Sequence, residues 1–119
     1  MKTTADELLQ RIPSPTTPKW PEGEPFAVGL RHGTMLVELF APRGEDNQTP
    51  HAQDELYFIH RGSATFVTAG ERHACAPGTC FFVAAGVPHR FEAISPDFST
   101  WVVFWGPEGG EALVHRASR

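Results

Sequence analysis

Cysteine is nearly absent: the chain has 2, Cys75 and Cys80. A disulfide-stapled scaffold needs more, and a zinc site built on paired thiolates has no second pair to complete it. Both are expected to be free thiols inside strands, in a reducing compartment. Long apolar runs are also missing. The opening stretch MKTTADELLQRIPSP has none of the length a signal peptide or membrane helix needs, so the expected location is the cytoplasm. Concentrated positive charge is the third absence. The formal net charge is −4, and Arg43, Arg61, Arg72 and Arg90 stand singly. Nucleic acid and anionic membranes are held through basic patches, so neither is an expected partner. No internal repeat is convincing.

What is present fits one domain. A chain of 119 residues buries roughly two-thirds of its unfolded surface, enough for one core. Hydrophobic residues make up 40%, which separates it from disordered chains. Thr4 to Ile12 is expected to be a short helix. Thr4 and Glu7 have capping-box spacing, acids occupy the first turn, and Leu8, Leu9 and Ile12 form one apolar face. PSPTTPKWPEGEP is too rich in proline for a helix or a central strand, and reads as an extended arm with Trp20 as its anchor.

The periodicity then changes to two. In GTMLVELFAP, Met35, Val37 and Leu39 share one face, and Leu36, Glu38 and Phe40 the other. ELYFIH, SATFVTA, TCFFVA, HRFEAI and STWVVFW are further short strands, with Gly or Pro in nearly every gap. That spacing predicts an all-β sandwich or closed barrel. The expected layout is a helix and proline-rich arm over 1–25, a barrel over 26–106 and a loose tail over 107–119.

Chemistry-bearing residues gather at one strand mouth, HAQDELYF. His51 and Glu55 are four residues apart, about 13 Å on a straight strand. The combined reach of an imidazole and a carboxylate onto one ion is about 11 Å at best. If both grip a metal, the chain must bend between Ala52 and Asp54, as barrel walls allow. A third ligand candidate, His89, begins the strand after the Gly86 turn. Phe91 shares its face, and Arg90 and Glu92 take the other.

These segments resemble the cupin family of small β-barrels. Its first motif is Gly, His-x-His, three or four residues, Glu, six residues, Gly; here His51, Glu55 and Gly62 match the second His, the Glu and the closing Gly. Its second motif is Gly, five residues, Pro-x-Gly, two residues, His; here Gly78, Gly86 and His89 match, with Ala84 in place of the proline. The resemblance covers roughly 33–105. It implies a jelly roll, or double-stranded β-helix, of antiparallel strands, and metal ligands His51, Glu55 and His89. Three further positions depart from the family. Its first His falls on Thr49, its opening Gly is displaced to Gly44, and Ala93 stands where an Asn is often found. Gln53, Thr49 or water is left for the fourth ligand position, with Gln53 preferred because its amide oxygen lies between the other two in sequence.

Two histidines and a carboxylate with open positions suit non-haem Fe(II), and equally Zn, Ni or Mn. A carboxylate inside an apolar barrel loses several kcal/mol of hydration unless paired. No lysine is near Glu55 in sequence; Arg61 or Arg90 could pair with it, but strand alternation points Arg90 away from the His89 face. Tyr57 shares a face with Glu55 and is a possible second donor to a metal ligand or substrate. His60 is expected at the surface, and His32, His73 and His115 lie outside both motifs. The function this implies is a metal-dependent enzyme acting on a small organic molecule by dioxygenation, isomerisation or decarboxylation. The alternative is a non-catalytic small-molecule binding or sensing barrel, with or without metal. The aromatic strand TWVVFW and the Trp20 arm supply apolar surface for a symmetric homodimer.

Overall fold

A computed structural model describes residues 1–112. One helix, α1 (Ala5–Leu9), is followed by β1 (Phe26–His32), β2 (Met35–Phe40), β3 (Asp54–Arg61), β4 (Ala64–Thr68), β5 (Glu71–Cys75), β6 (Cys80–Val83), β7 (His89–Glu92) and β8 (Ser99–Trp105). Five strands form one sheet in the order β1-β2-β8-β3-β6, and three form a second in the order β5-β4-β7. Every pairing is antiparallel. The sheets enclose one core in a jelly-roll barrel. Tyr57, Ile59 and Val102 of the first sheet meet Phe66 and Phe91 of the second.

Alternation decides what each strand contributes. On β2 the face carrying Glu38 and Phe40 turns inward and lines a cavity, while Leu39 is fully buried on the outer side. There it packs with Ala5 and Leu8 of α1 and Ala27 of β1. The helix therefore clamps the outer face of the sheet near its β1 edge. It is shorter than Thr4–Ile12. The Thr4 hydroxyl accepts from the Glu7 N–H at 3.2 Å as the capping pattern predicts, but the last turn tightens at Arg11 and Ile12. Pro13 has no N–H with which to continue it.

Two strands lie outside the expected set. In β1, Gly29 sits where the pairing with β2 slips, and this interrupts the alternation. In β5, Glu71 to Ala74 are exposed and only Cys75 is buried, so no apolar period marks it. Cys75 and Cys80 are free thiols at strand ends, as expected. Trp20 is a true anchor. It is buried edge-on to Phe26 and Phe40, so the proline-rich arm closes its own barrel. Gly62 is needed at the β3–β4 turn: its φ is +79°, and a Cβ there would lie 2.7 Å from the Phe98 Cα. Of the expected tail, residues 107–112 fold back, with the Gly109 N–H donating to the Ala52 carbonyl at 2.7 Å. The remainder, with His115, is outside the described residues.

Candidate metal centre

His51 is the last ordinary backbone position before two bent residues, Ala52 and Gln53, and β3 starts only at Asp54. This is the bend that a shared ion requires of His51 and Glu55. Backbone ties then bring in the second motif. The Gly86 N–H donates to the His51 carbonyl at 2.8 Å, and the Ala85 N–H donates to Asp54 Oδ1 at 2.9 Å. Glu111 N–H donates to the other Asp54 oxygen, and these two donors hold its pKa below the usual carboxylate range. The loop before β7 is thereby pinned against the start of β3, and His89 is delivered opposite Glu55.

The result is a convergence of three ligand atoms, one each from His51, Glu55 and His89, all within 4.8 Å of one another. Glu55 Oε1 lies 2.8 Å from Nε2 of His89, and Oε2 lies 3.9 Å from Nε2 of His51. Nδ1 of His89 faces the Val87 carbonyl at 2.8 Å, which assigns its proton there and leaves Nε2 aimed at the site. Tyr57 stands beside them with its hydroxyl 2.9 Å from His89 Nε2.

The electrostatics follow from burial. Desolvation works to lower the pKa of His89, but the hydrogen bond and charge of Glu55 outweigh it and the net shift is upward. His51 lacks so close a partner, so desolvation prevails and its pKa falls. Burial, then the charges of Glu55 and Asp46, hold the Tyr57 phenol well above its ordinary value. One atom is left over. Glu55 Oε2 is buried without a hydrogen-bond partner among the described residues. A divalent cation fits this donor set: it would engage that oxygen and the imidazole lone pairs together.

Gln53 is not part of this group. Its amide nitrogen donates to the carbonyls of Gly106, at 2.8 Å, and Thr34, at 3.1 Å, so the side chain ties β8 to the β1–β2 turn. At the bend, neighbouring side chains diverge, and proximity in sequence to His51 and Glu55 does not bring Gln53 into the barrel. Thr49 is exposed, its hydroxyl accepting from Lys19 Nζ at 3.0 Å. The amide that does enter is Gln48, whose Oε1 is 3.1 Å from both His51 Nε2 and the Tyr57 hydroxyl. No sequence motif flagged it, because it lies one residue before the family's first His position.

The other histidines stay apart. His32 is exposed and His73 pairs with Glu71. His60 is half-buried, with Nε2 sealed and unpartnered among the described residues, so it is less of a surface residue than alternation suggests. It falls where the β3–β8 register slips between Ile59 and Arg61. Arg90 is exposed and points away from the site, as expected, and it is bound to Glu92.

A cavity of about 390 Å³ opens onto His51, Gln48 and Tyr57, walled by Trp20, Phe26, Phe40 and Phe104. Glu38 projects into it. Burial, then the charge of Glu55, raises the Glu38 pKa to about 7, against a smaller opposing effect of Arg31. The space has the size and the mix of apolar wall and few polar groups typical of small-molecule sites.

Comparison with known proteins bears on the fold and the family. An uncharacterised protein of Streptomyces coelicolor is 43% identical over 81 residues, which are 66% of this chain and 77% of that one. Among solved structures, the DMSP lyase DddQ from Ruegeria pomeroyi aligns with TM-score 0.54 and 26% identity, over 61% of this chain and 39% of that one. This chain thus spans well under half of that lyase. KdgF from a Halomonas species has TM-score 0.59 and 17% identity, over 67% and 76%. A cupin 2 conserved barrel protein from Salinispora arenicola has TM-score 0.58 and 17% identity, over 68% and 74%. The last two are likenesses of fold alone. The cupin domain model matches residues 36–105, a span that contains His51, Glu55 and His89, and the chain belongs to the cupin family.

Proposed function

We propose that the protein is a metal-dependent enzyme acting on a small organic molecule, with His51, Glu55 and His89 as the protein ligands of a divalent ion. The observation that carries this is the unpartnered Oε2 of Glu55 beside two imidazoles, one of which, His51, lines an aromatic-walled cavity. When bound, such an ion supplies Lewis acidity or a site for O2. The chain's own groups do the rest. Trp20, Phe40 and Phe104 exclude water from one side of the substrate. Tyr57 keeps its proton at Oη, where it donates to Gln48 or to a substrate oxygen. Glu38 offers a carboxyl whose pKa near neutrality suits proton transfer.

Thr49 supports a second reading. The family's first histidine is missing there, and the hydroxyl in its place faces Lys19. A barrel that binds a small molecule without turnover needs no full ligand set. In either case we infer a symmetric homodimer. Neither nucleic acid nor membrane is an inferred partner, and the inferred location is the cytoplasm. Among the described residues, no helix is long and apolar enough to cross a membrane.

Elemental analysis of tag-free protein, purified without added metal, tests the proposal. Near-stoichiometric metal in the wild type, lost in His89→Ala and kept in His60→Ala, is the expected result. No metal as purified, and none taken up on titration, overturns it. Metal uptake without turnover of any substrate found in the cavity favours the binding barrel.

A further inference from the structure

We propose that Gln48 is the fourth protein donor to the metal centre, and that Asp46 is the positioning residue that keeps its carbonyl oxygen turned inward. This rests on the reading that His51, Glu55 and His89 hold a divalent cation.

A glutamine amide has a donor end and an acceptor end, and its surroundings decide which way it faces. Here the decision is made by a group that can only accept. Asp46 Oδ2 lies 2.6 Å from Gln48 Nε2. A carboxylate accepts and cannot donate, so the NH2 end must face it. The oxygen end is then directed the other way, 3.1 Å from His51 Nε2 and 3.1 Å from the Tyr57 hydroxyl. Turning the amide over would set its oxygen against a carboxylate oxygen and lose the Tyr57 donor as well.

Asp46 is itself fixed. Oδ1 accepts the backbone N–H of Gln48 at 3.0 Å, which closes a local turn. Oδ2 accepts the Phe91 N–H at 2.9 Å, from β7, the strand that His89 begins. The loop carrying Gln48 is therefore bonded to the strand carrying one metal ligand, while its amide points at the other histidine. Such outer partners fix the orientation of a ligand and raise metal affinity.

The assignment has a chemical consequence. Two imidazoles, one carboxylate and one neutral amide oxygen carry a single negative charge. Four protein donors complete a tetrahedral ion but leave two positions on an octahedral one. A substrate that coordinates the ion thus requires a metal that accepts more than four ligands.

Cobalt(II) alone is the probe, titrated into chelator-treated protein and followed by calorimetry and by its visible absorption. Gln48→Leu should weaken cobalt binding at least tenfold and change the absorption bands. Gln48→Glu should retain binding with a shifted spectrum. Asp46→Asn, whose amide can also donate, should weaken binding by roughly tenfold, the scale of outer-partner effects. Thr49→Val should match the wild type. Thermal melts of each cobalt-free variant establish that it folds. If wild type binds cobalt and Gln48→Leu binds it with the same affinity and spectrum, the Gln48 assignment falls while the three-ligand centre stands. If Gln48→Leu is weakened and Asp46→Asn is not, the positioning role falls. If the wild type takes up no cobalt, the three-ligand centre falls and this inference with it.

Discussion

Glu55 Oε1 sits 2.8 Å from Nε2 of His89, with the two side chains 1% and 0% exposed. A carboxylate so deep needs a partner, and without metal the partner is this imidazole. Removing it leaves a buried charge uncompensated, which costs about 3–5 kcal/mol where such pairs have been broken. In chelator-treated protein at pH 7, His89→Ala should lose stability on that scale by urea denaturation. Replacing both residues by leucine should recover most of it, since two apolar side chains need no partner. Equal losses in the single and the double variant would show that the pair is not what holds this part of the core.

Metal should in turn stabilise the fold by mass action. A ligand of the native state at one hundred times its dissociation constant adds about 2.7 kcal/mol. For a domain of this size that corresponds to a rise in Tm of roughly 10 °C. Scanning calorimetry with and without a divalent ion, followed by a chelator, measures it. Glu55→Gln should abolish the increment, whereas Glu38→Gln should keep it, because Glu38 lies on the cavity wall outside the ligand cluster. A chelator-insensitive melting point in the wild type would argue against a resident ion.

Glu38 gives the fold a pH dependence of its own. Its pKa rises from 4.5 to about 7 on folding, first through burial and then through Glu55. Below the lower value the carboxyl is protonated in both states and costs nothing. Between the two, the unfolded chain ionises while the folded one keeps its proton, so stability falls as pH rises. Above about 7 the loss is complete and amounts to about 3 kcal/mol. In metal-free protein, Glu38→Gln should therefore gain on the wild type from pH 5 to about pH 7 and then hold a constant lead to pH 8. The urea midpoints of the two proteins across that range are the measurement, and a difference between them that is the same at pH 5 as at pH 7 would contradict it.

Much of this was legible in the residues because it depends on local rules. Six strands follow from period-two alternation, the helix start from Thr4 and Glu7, and the bend at Ala52 and Gln53 from the reach of two side chains. What failed depends on relations between distant segments. β5 is paired with β4 along its whole length yet stays exposed, so its sequence carries no burial pattern. Glu38 points inward because α1 takes the opposite face of β2, which no property of β2 reveals. Gln48 replaces Gln53 because Asp46 and the Phe91 N–H hold one amide inward while Gly106 and Thr34 hold the other away. Choosing between two glutamines five residues apart required the partners of each.

The homodimer we infer would use a definite surface. Phe58 on β3 and Phe82 on β6 are 43% and 58% exposed on the outer side of the five-stranded sheet. The Phe82 ring lies 6.1 Å from that of Trp105, so the apolar face runs on to the end of β8. Trp20 is unavailable for this purpose, being buried in its own barrel. Exposed aromatic rings on a sheet face favour association, and a two-fold axis lets the same face cover itself. Light scattering at several concentrations should give twice the 13.1 kDa chain mass for the wild type. Phe82→Lys places a charge on that face and should return the monomer mass with metal loading intact, since the side chain points away from the cavity. A wild type that stays at the monomer mass throughout the series rejects the dimer.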